Sequence, residues 1–307
     1  MTFGLDAVRD ALVEACPGLR VAAVRPLEAG YTSRQWVADT DEGPLLAKAP
    51  IRNRDPEHLR RIVAATRRAA DGGVPVVRFR ALLPHSAGLG GPLLVQEFQA
   101  GTPADAVWDG LDDAARLAFA ADLGAVVARI HACAGPWFGD VLGRERHPDA
   151  RAFLHARVDA QLAKAPDDLT TAGSRRLGAA LHRAVDAVPD DAPPSLVHGD
   201  LWRPNFLLRD GRIACVLDFE HGRFADRFAD FGKLDEHIFA AWPAGRERFL
   251  AAYDAALPLP GDWPARVRLG NAIHALSTAV YFGRWNPQFV AQYAAELQEW
   301  LVTSGVR

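Results

Sequence analysis

The spacing of apolar and polar positions changes once along this chain. Through the first hundred residues, short apolar runs alternate with turn signals, and beyond Gly101 the apolar positions recur at helical intervals. Leu5 to Cys16 predicts an amphipathic helix. Val21 to Leu27, Gln35 to Asp39 and Leu45 to Ala49 read as strands parted by Ala29-Gly30 and Asp41-Glu42-Gly43, which predicts an antiparallel meander. Pro56 suits the first turn of a helix that runs to Ala70 with Leu59, Ile62 and Val63 on one face, until Gly72-Gly73 stops it. Strands around Val76 to Leu82 and Leu93 to Phe98 complete a five-stranded lobe.

Helical periodicity then covers 112–132, 148–165, 171–188, 244–256, 264–282 and 288–302. One segment interrupts it. Phe206 to Leu208 and Ile213 to Leu217 are short, apolar and strand-like, and the Asp210-Gly211 pair between them is a strong hairpin-turn signal. A polar loop, His198 to Asn205, leads into this hairpin. The pattern as a whole predicts an α+β chain of two lobes, a small antiparallel sheet lobe over 1–98 and a larger, mainly helical lobe over 99–307.

Charge narrows the range of partners. Lys+Arg at 35 against Asp+Glu at 38, with no basic block, gives no electrostatic footprint for nucleic acid or an anionic membrane, so the expected partner is a small molecule. Met1 to Asp10 has no basic stretch followed by an apolar one, and no apolar run reaches the roughly 18 residues of a membrane span, which places the chain in the cytoplasm as an expectation. Cys16, Cys133 and Cys215 stand in no C-x-x-C spacing and read as structural thiols. The basic residues comprise 32 Arg and only 3 Lys, namely Lys48, Lys164 and Lys233. Where a chain writes Arg by default, a Lys marks a position that needs a compact ammonium.

The chemistry concentrates in Leu196-Val197-His198-Gly199-Asp200-Leu201-Trp202-Arg203-Pro204-Asn205 and in Leu217-Asp218-Phe219-Glu220. Magnesium takes hard oxygen ligands in near-octahedral geometry and keeps part of its water, so one carboxylate and one amide oxygen beside a triphosphate suit it. Asp218 and Asn205 supply those two from the ends of one hairpin. Asp200, five residues before Asn205, remains to accept the proton of an attacking hydroxyl. Any one of the three, taken alone, is more often a turn or capping residue. The joint pattern, H-G-D-x-x-x-x-N followed thirteen residues on by D-F-E, is far more specific.

These residues resemble the catalytic and metal motifs shared by aminoglycoside phosphotransferases, choline kinases, fructosamine kinases and related enzymes of the protein-kinase-like fold. The resemblance implies a phosphate-covering hairpin at Leu27 to Val37, in which Gly30 allows close backbone approach and Thr32 and Ser33 offer hydroxyls. It also implies that Lys48 pairs with the phosphates, the alternative being a lysine that merely snorkels from an apolar strand. The helix glutamate that holds this lysine in similar enzymes has no match at the expected place near Ile62. Glu57, about one turn early, is the nearest acid, and either it or another group partners Lys48. Backbone groups near Glu97 and Phe98 would meet the nucleobase, ATP or GTP. His198, Asp226 and Asp230 would brace the catalytic loop, and His131 would pack and hydrogen-bond.

The resemblance implies Mg2+ as cofactor, ATP or GTP as phosphoryl donor, and a small-molecule hydroxyl as acceptor. Trp202 and Glu220 are candidates for acceptor contacts, with Glu236 and the region 271–286 also in view; tryptophans at helical spacing are more often core. The expected activity is O-phosphorylation of an antibiotic-like or aminoglycoside-like acceptor, hence antibiotic resistance. A metabolic kinase of choline, a sugar or a glycated amine would use the same machinery. A catalytically silent nucleotide-binding regulator is the third reading, and the joint presence of Lys48, Asp200, Asn205 and Asp218 weighs against it.

Overall fold

The computed structural model describes residues 4–28, 32–166, 169–240, 242–284 and 286–304. In chain order these form α1 (Leu5–Ala15), β1 (Val21–Leu27), β2 (Ser33–Thr40), β3 (Leu45–Pro50), α2 (Pro56–Asp71), β4 (Phe79–Ser86), β5 (Gly91–Glu97) and β6 (Thr102–Pro103). There follow α3 (Ala104–Val107), α4 (Asp113–His131), β7 (Phe138–Asp140), β8 (Arg146–His147), α5 (Ala150–Leu162), α6 (Ser174–Ala187) and β9 (Ser195–Val197). The last third holds β10 (Phe206–Arg209), β11 (Arg212–Val216), β12 (Arg223–Ala225), α7 (Phe231–Leu234), α8 (Pro243–Ala256), α9 (Trp263–Phe282) and α10 (Pro287–Thr303). No described helix is long and apolar enough to cross a membrane.

Two compact units result, Met1–Asp109 with Pro204–His221, and Gly110–Arg203 with Gly222–Arg307. In the first, five antiparallel strands run in the order β1-β2-β3-β5-β4. The meander expected for β1, β2 and β3 holds, and β5 inserts between β3 and β4. The helix α1 covers this sheet with Val8, Ala11 and Leu12, which pack in one core with Trp36, Ala38, Leu45, Ala47, Leu93 and Val95. Pro56 stands at the start of α2 beside the N-cap Asp55, whose side chain accepts the Glu57 N–H. The face that α2 buries is Leu59, Ala65, Thr66 and Ala69; Ile62 and Val63 are only half-buried.

The hairpin of β10 and β11 is the main departure from the expected lobes, which assigned it to 99–307. Backbone pairing ties it to the first unit instead: β10 pairs with β6, the Val216 N–H donates to the Pro75 carbonyl at 2.7 Å, and Val76 bridges Val216. This pairing also explains why β4 starts at Phe79 rather than Val76. At Gly101, an added Cβ would lie 3.0 Å from Leu207 Cβ and 3.2 Å from the Leu208 carbonyl, so the close approach at this strand favours glycine. Asp210 and Gly211 both take positive φ, 53° and 73°, as a two-residue hairpin turn of this hand demands.

The second unit is helical around a small sheet, β8-β7-β12-β9. Its helices agree with the periodicity to within a few residues, and side-chain caps from Asp112 and Asp149 start α4 and α5. The helices α5, α6, α9 and α10 share a core that includes Val158, Leu177, Leu181, Leu276, Tyr293 and Leu297. The sheet was not expected, because each of its strands is two or three residues long and offers no alternation to read.

Candidate active site

In the first unit the strand lysine meets the hairpin aspartate. Lys48 on β3 lies in register between Gln35 of β2 and Leu94 of β5, and its Nζ is 2.9 Å from Asp218 Oδ1. The ammonium is 16% exposed and the carboxylate 46%, so this is a partly buried charge pair with its acidic side open. Asp218 makes the contact from left-handed backbone, φ 56°, immediately past β11. Few non-glycine residues adopt that conformation, and aspartate is among those that tolerate it. The next residue, Phe219, is 1% exposed and anchors the turn that follows.

The same hairpin brings in Asn205. Its carbonyl accepts the Leu217 N–H at 2.9 Å, one step beyond the Phe206–Val216 pair, so Asn205 and Asp218 both sit at the open end of one ladder. Asn205 is buried at 6% exposure. One carboxylate and one amide, both hard-oxygen donors at one end of a single hairpin, fit magnesium. Burial pushes the Cys215 thiol on β11 up to about 12, against the opposing pull of Lys48.

The remaining nucleotide candidates divide. Gly30 lies outside the described residues. The exposed Thr32 accepts the Ile51 N–H on its carbonyl at 2.8 Å, and the half-buried Ser33 opens β2 opposite Pro50. The backbone N–H groups of Glu97 and Phe98 are already spent, on the carbonyls of Arg78 (2.8 Å) and Pro44 (3.0 Å). Neither donor is on offer to a nucleobase, and Gln99 carries the next one along the chain. Glu57 is not the acid on Lys48. It pairs with Arg60 one turn on, since as the second residue of α2 it lies too early to be the lysine's counter-ion, a place that Asp218 takes.

The second unit holds Asp200 and its supports. The chain leaves β9 through His198 and Gly199, whose N–H groups donate to Asp230 Oδ2 at 2.8 Å and Oδ1 at 2.7 Å. His131 Nε2 lies 3.1 Å from Asp230 Oδ2, and its Nδ1 lies 2.9 Å from Tyr253 Oη. Asp230 and His198 are fully buried. Burial alone would raise the Asp230 carboxyl, but the hydrogen bond and charge of His131, with His198, hold it below its ordinary value. His198 Nδ1 accepts the Asp200 N–H at 3.2 Å, so the imidazole fixes the backbone of the proposed base. Gly199, at φ 80°, makes the bend.

Asp226 does different work from Asp230. Its Oδ1 caps the short turn at Phe228 N, and its Oδ2 accepts from Arg266 Nη1 at 3.0 Å. It therefore anchors α9 rather than the loop. Trp202 stacks edge-on to His237 at 6.0 Å, and Glu220 lies 3.8 Å from His221 in the first unit. Glu236 is satisfied internally: Tyr293 Oη donates at 2.5 Å and His274 Nε2 lies at 2.8 Å. Burial opposes its ionisation, yet these two hydrogen bonds hold its carboxyl at about 2. Lys233 escaped the sequence reading of the site altogether. Its Nζ is 3.5 Å from Asp200 Oδ1 and 5.7 Å from the centre of the Trp202 ring. The scarcity of lysine was the signal that could have found it.

An aminoglycoside 3'-phosphotransferase of Escherichia coli is 32% identical over 79 residues, which are 26% of this chain, and the chain spans only 28% of that relative. Among solved structures, a thermostable mutant of aminoglycoside phosphotransferase APH(4)-Ia with AMP-PNP and hygromycin B superposes at a TM-score of 0.75, with 18% identity, over 98% of this chain and 100% of its own. Macrolide 2'-phosphotransferase MphH from Brachybacterium faecium gives 0.63 at 22% identity, over 99% of both chains. At these identities the likeness is one of fold, protein-kinase-like in both lobes. The model of the phosphotransferase enzyme family (APH) matches residues 23–269, and the chain belongs to that family.

Proposed function

We propose that the protein transfers the γ-phosphoryl group of a nucleoside triphosphate, ATP or GTP, with magnesium, to a hydroxyl of an antibiotic-like small molecule. The ion pair of Lys48 with Asp218 carries this reading. Two residues 170 positions apart, each singled out by its own motif, meet at 2.9 Å with the carboxylate open to solvent. Lys48 would bind the triphosphate as a compact point charge, and Asn205 and Asp218 would hold the metal, which when bound neutralises phosphate charge. Asp200 would orient the acceptor hydroxyl and take its proton as the oxygen attacks the γ-phosphorus, whose bond to the β–γ bridging oxygen breaks to release the nucleoside diphosphate. Thr32 and Ser33 would contribute hydroxyls to the phosphates, and Trp202 and Glu220 would contact the acceptor. The backbone donor to the base edge would come from Gln99 rather than from Glu97 or Phe98.

The names of an aminoglycoside 3'-phosphotransferase and a macrolide 2'-phosphotransferase among the relatives support the antibiotic class of acceptor. The test is triphosphate turnover measured against a panel of aminoglycosides, macrolides, choline, hexoses and glycated amines. The proposal expects stimulation by an antibiotic, with one phosphate added to a hydroxyl. Turnover on choline or a sugar alone would move the protein to the metabolic kinases, and binding of nucleotide without transfer to any acceptor would sink the enzymatic reading.

A further inference from the structure

Two of the three lysines of this chain pair with the aspartates of its two motifs. Lys48 takes Asp218, and Lys233 takes Asp200, while Lys164 is exposed. We infer that Lys233 is a positioning residue for the proposed base, restraining the Asp200 carboxylate through Oδ1. The inference rests on the assignment of Asp200 made above.

Three observations carry it. First, the pair is shielded: the Lys233 and Asp200 side chains are 20% and 22% exposed, so their attraction is screened less than that of a surface pair. At 3.5 Å the contact is one of charge more than a short hydrogen bond. Second, the ammonium is itself located. It lies 5.7 Å from the centre of the Trp202 ring, within cation–π range, and that ring meets His237 edge-on.

Third, Lys233 follows Asp230 by three residues, close to one helical turn. Asp230, the N-cap of α7, receives the N–H groups of His198 and Gly199, and Lys233 within α7 contacts the carboxylate of Asp200, so this short helix and its cap reach both the backbone and the side chain of the loop. Its own placement is tight. A Cβ on Gly232 would come within 3.0 Å of His274 Cβ, which shows how closely α7 lies on α9. In a chain with 32 Arg, Lys233 supplies a compact ammonium at a point where a guanidinium would be larger, planar and differently hydrated.

The experiment is a double-mutant cycle on phosphoryl transfer to the best acceptor of the panel, with Lys233→Met, Asp200→Asn and the pair, and Lys233→Arg as the charge-keeping control. Loss of orientation at the base predicts a kcat fall of about 10- to 10²-fold for Lys233→Met, with KM for nucleotide and thermal midpoint unchanged. Lys233→Arg should recover part of that loss. In the Asp200→Asn background, Lys233→Met should cost nothing further. A kcat within twofold of wild type for Lys233→Met, or a full additional loss in the Asp200→Asn background, overturns the inference. If Lys233→Met fails to fold, equal losses in Lys233→Arg and Lys233→Gln at unchanged thermal midpoint do the same. Full activity of Asp200→Asn would instead overturn the assignment of Asp200, a separate outcome read from a different variant.

Discussion

Lys48 and Asp218 form a 2.9 Å ion pair in which the aspartate reaches the lysine from left-handed backbone. The strained conformation and the charge can be separated by mutation, because asparagine tolerates the same backbone. Asp218→Asn should keep the thermal midpoint within a few degrees while turnover falls by on the order of 10²-fold or more. Near-normal turnover at ordinary magnesium would remove Asp218 from the metal site. Asn205→Ala should cost less, since it removes a neutral donor.

Lys48→Arg keeps the positive charge and replaces a compact ammonium with a broad planar fork. Most of the activity should be lost, with kcat/KM down by about tenfold or more. An unimpaired variant would show that the side chain only lays its stem along the strand.

Asp200→Asn keeps shape and removes the base. The expected fall in kcat is on the order of 10²- to 10⁴-fold, with nucleotide affinity by calorimetry hardly changed. A parallel loss of both quantities would make Asp200 structural.

Asp230 is a different kind of residue, and its removal should be felt in folding. Asp230→Ala would leave the His198 and Gly199 N–H groups without their acceptor in a buried site, at a cost of about 3 kcal/mol or more. Chemical denaturation should read this directly. A midpoint equal to that of wild type would show that the loop finds other acceptors.

Glu236 supplies a pH dependence. Its carboxyl is held at about 2 in the folded chain against an ordinary 4.5, so the folded state binds fewer protons than the unfolded one across that interval. Its contribution to stability is whole above about 4.5 and is lost as pH falls toward 2. Glu236→Gln should therefore flatten the stability profile over that window and lower stability near neutrality by about 2 kcal/mol. An unchanged slope between pH 5 and 2.5 would show that other carboxylates dominate acid unfolding.

The legible parts of this molecule were those in which a local rule acts over many residues. The long helices declared themselves through apolar spacing, and the β10–β11 hairpin through Asp210-Gly211 and its flanking runs. The small sheet of the second unit was invisible because strands such as Ser195–Val197 carry no period. The candidates Asp200, Asn205 and Asp218 stood out in the sequence because their residue types fall at set spacings. The site was illegible where partners come from distant sequence: nothing local tells that Lys233 faces Asp200. The spent N–H groups of Glu97 and Phe98 were equally hidden, since backbone pairing leaves no mark on side-chain identity.

The ladder between β10 and β11 has a consequence for insertions and deletions. Phe206 pairs with Val216 and the Asn205 carbonyl with the Leu217 N–H, so the placing of Asn205 and Asp218 at the open end depends on the closed end of the ladder only through its register. Residues added between Arg209 and Arg212 would bulge outward as a longer loop, leaving the open end as it is. A single residue removed within Leu207 to Arg209 would slip the pairing and turn every side chain below it to the opposite face. The thirteen-residue interval between Asn205 and Asp218 is thus a pairing constraint rather than a fixed length, and homologues with longer hairpin loops can carry the same pair of donors at a different spacing.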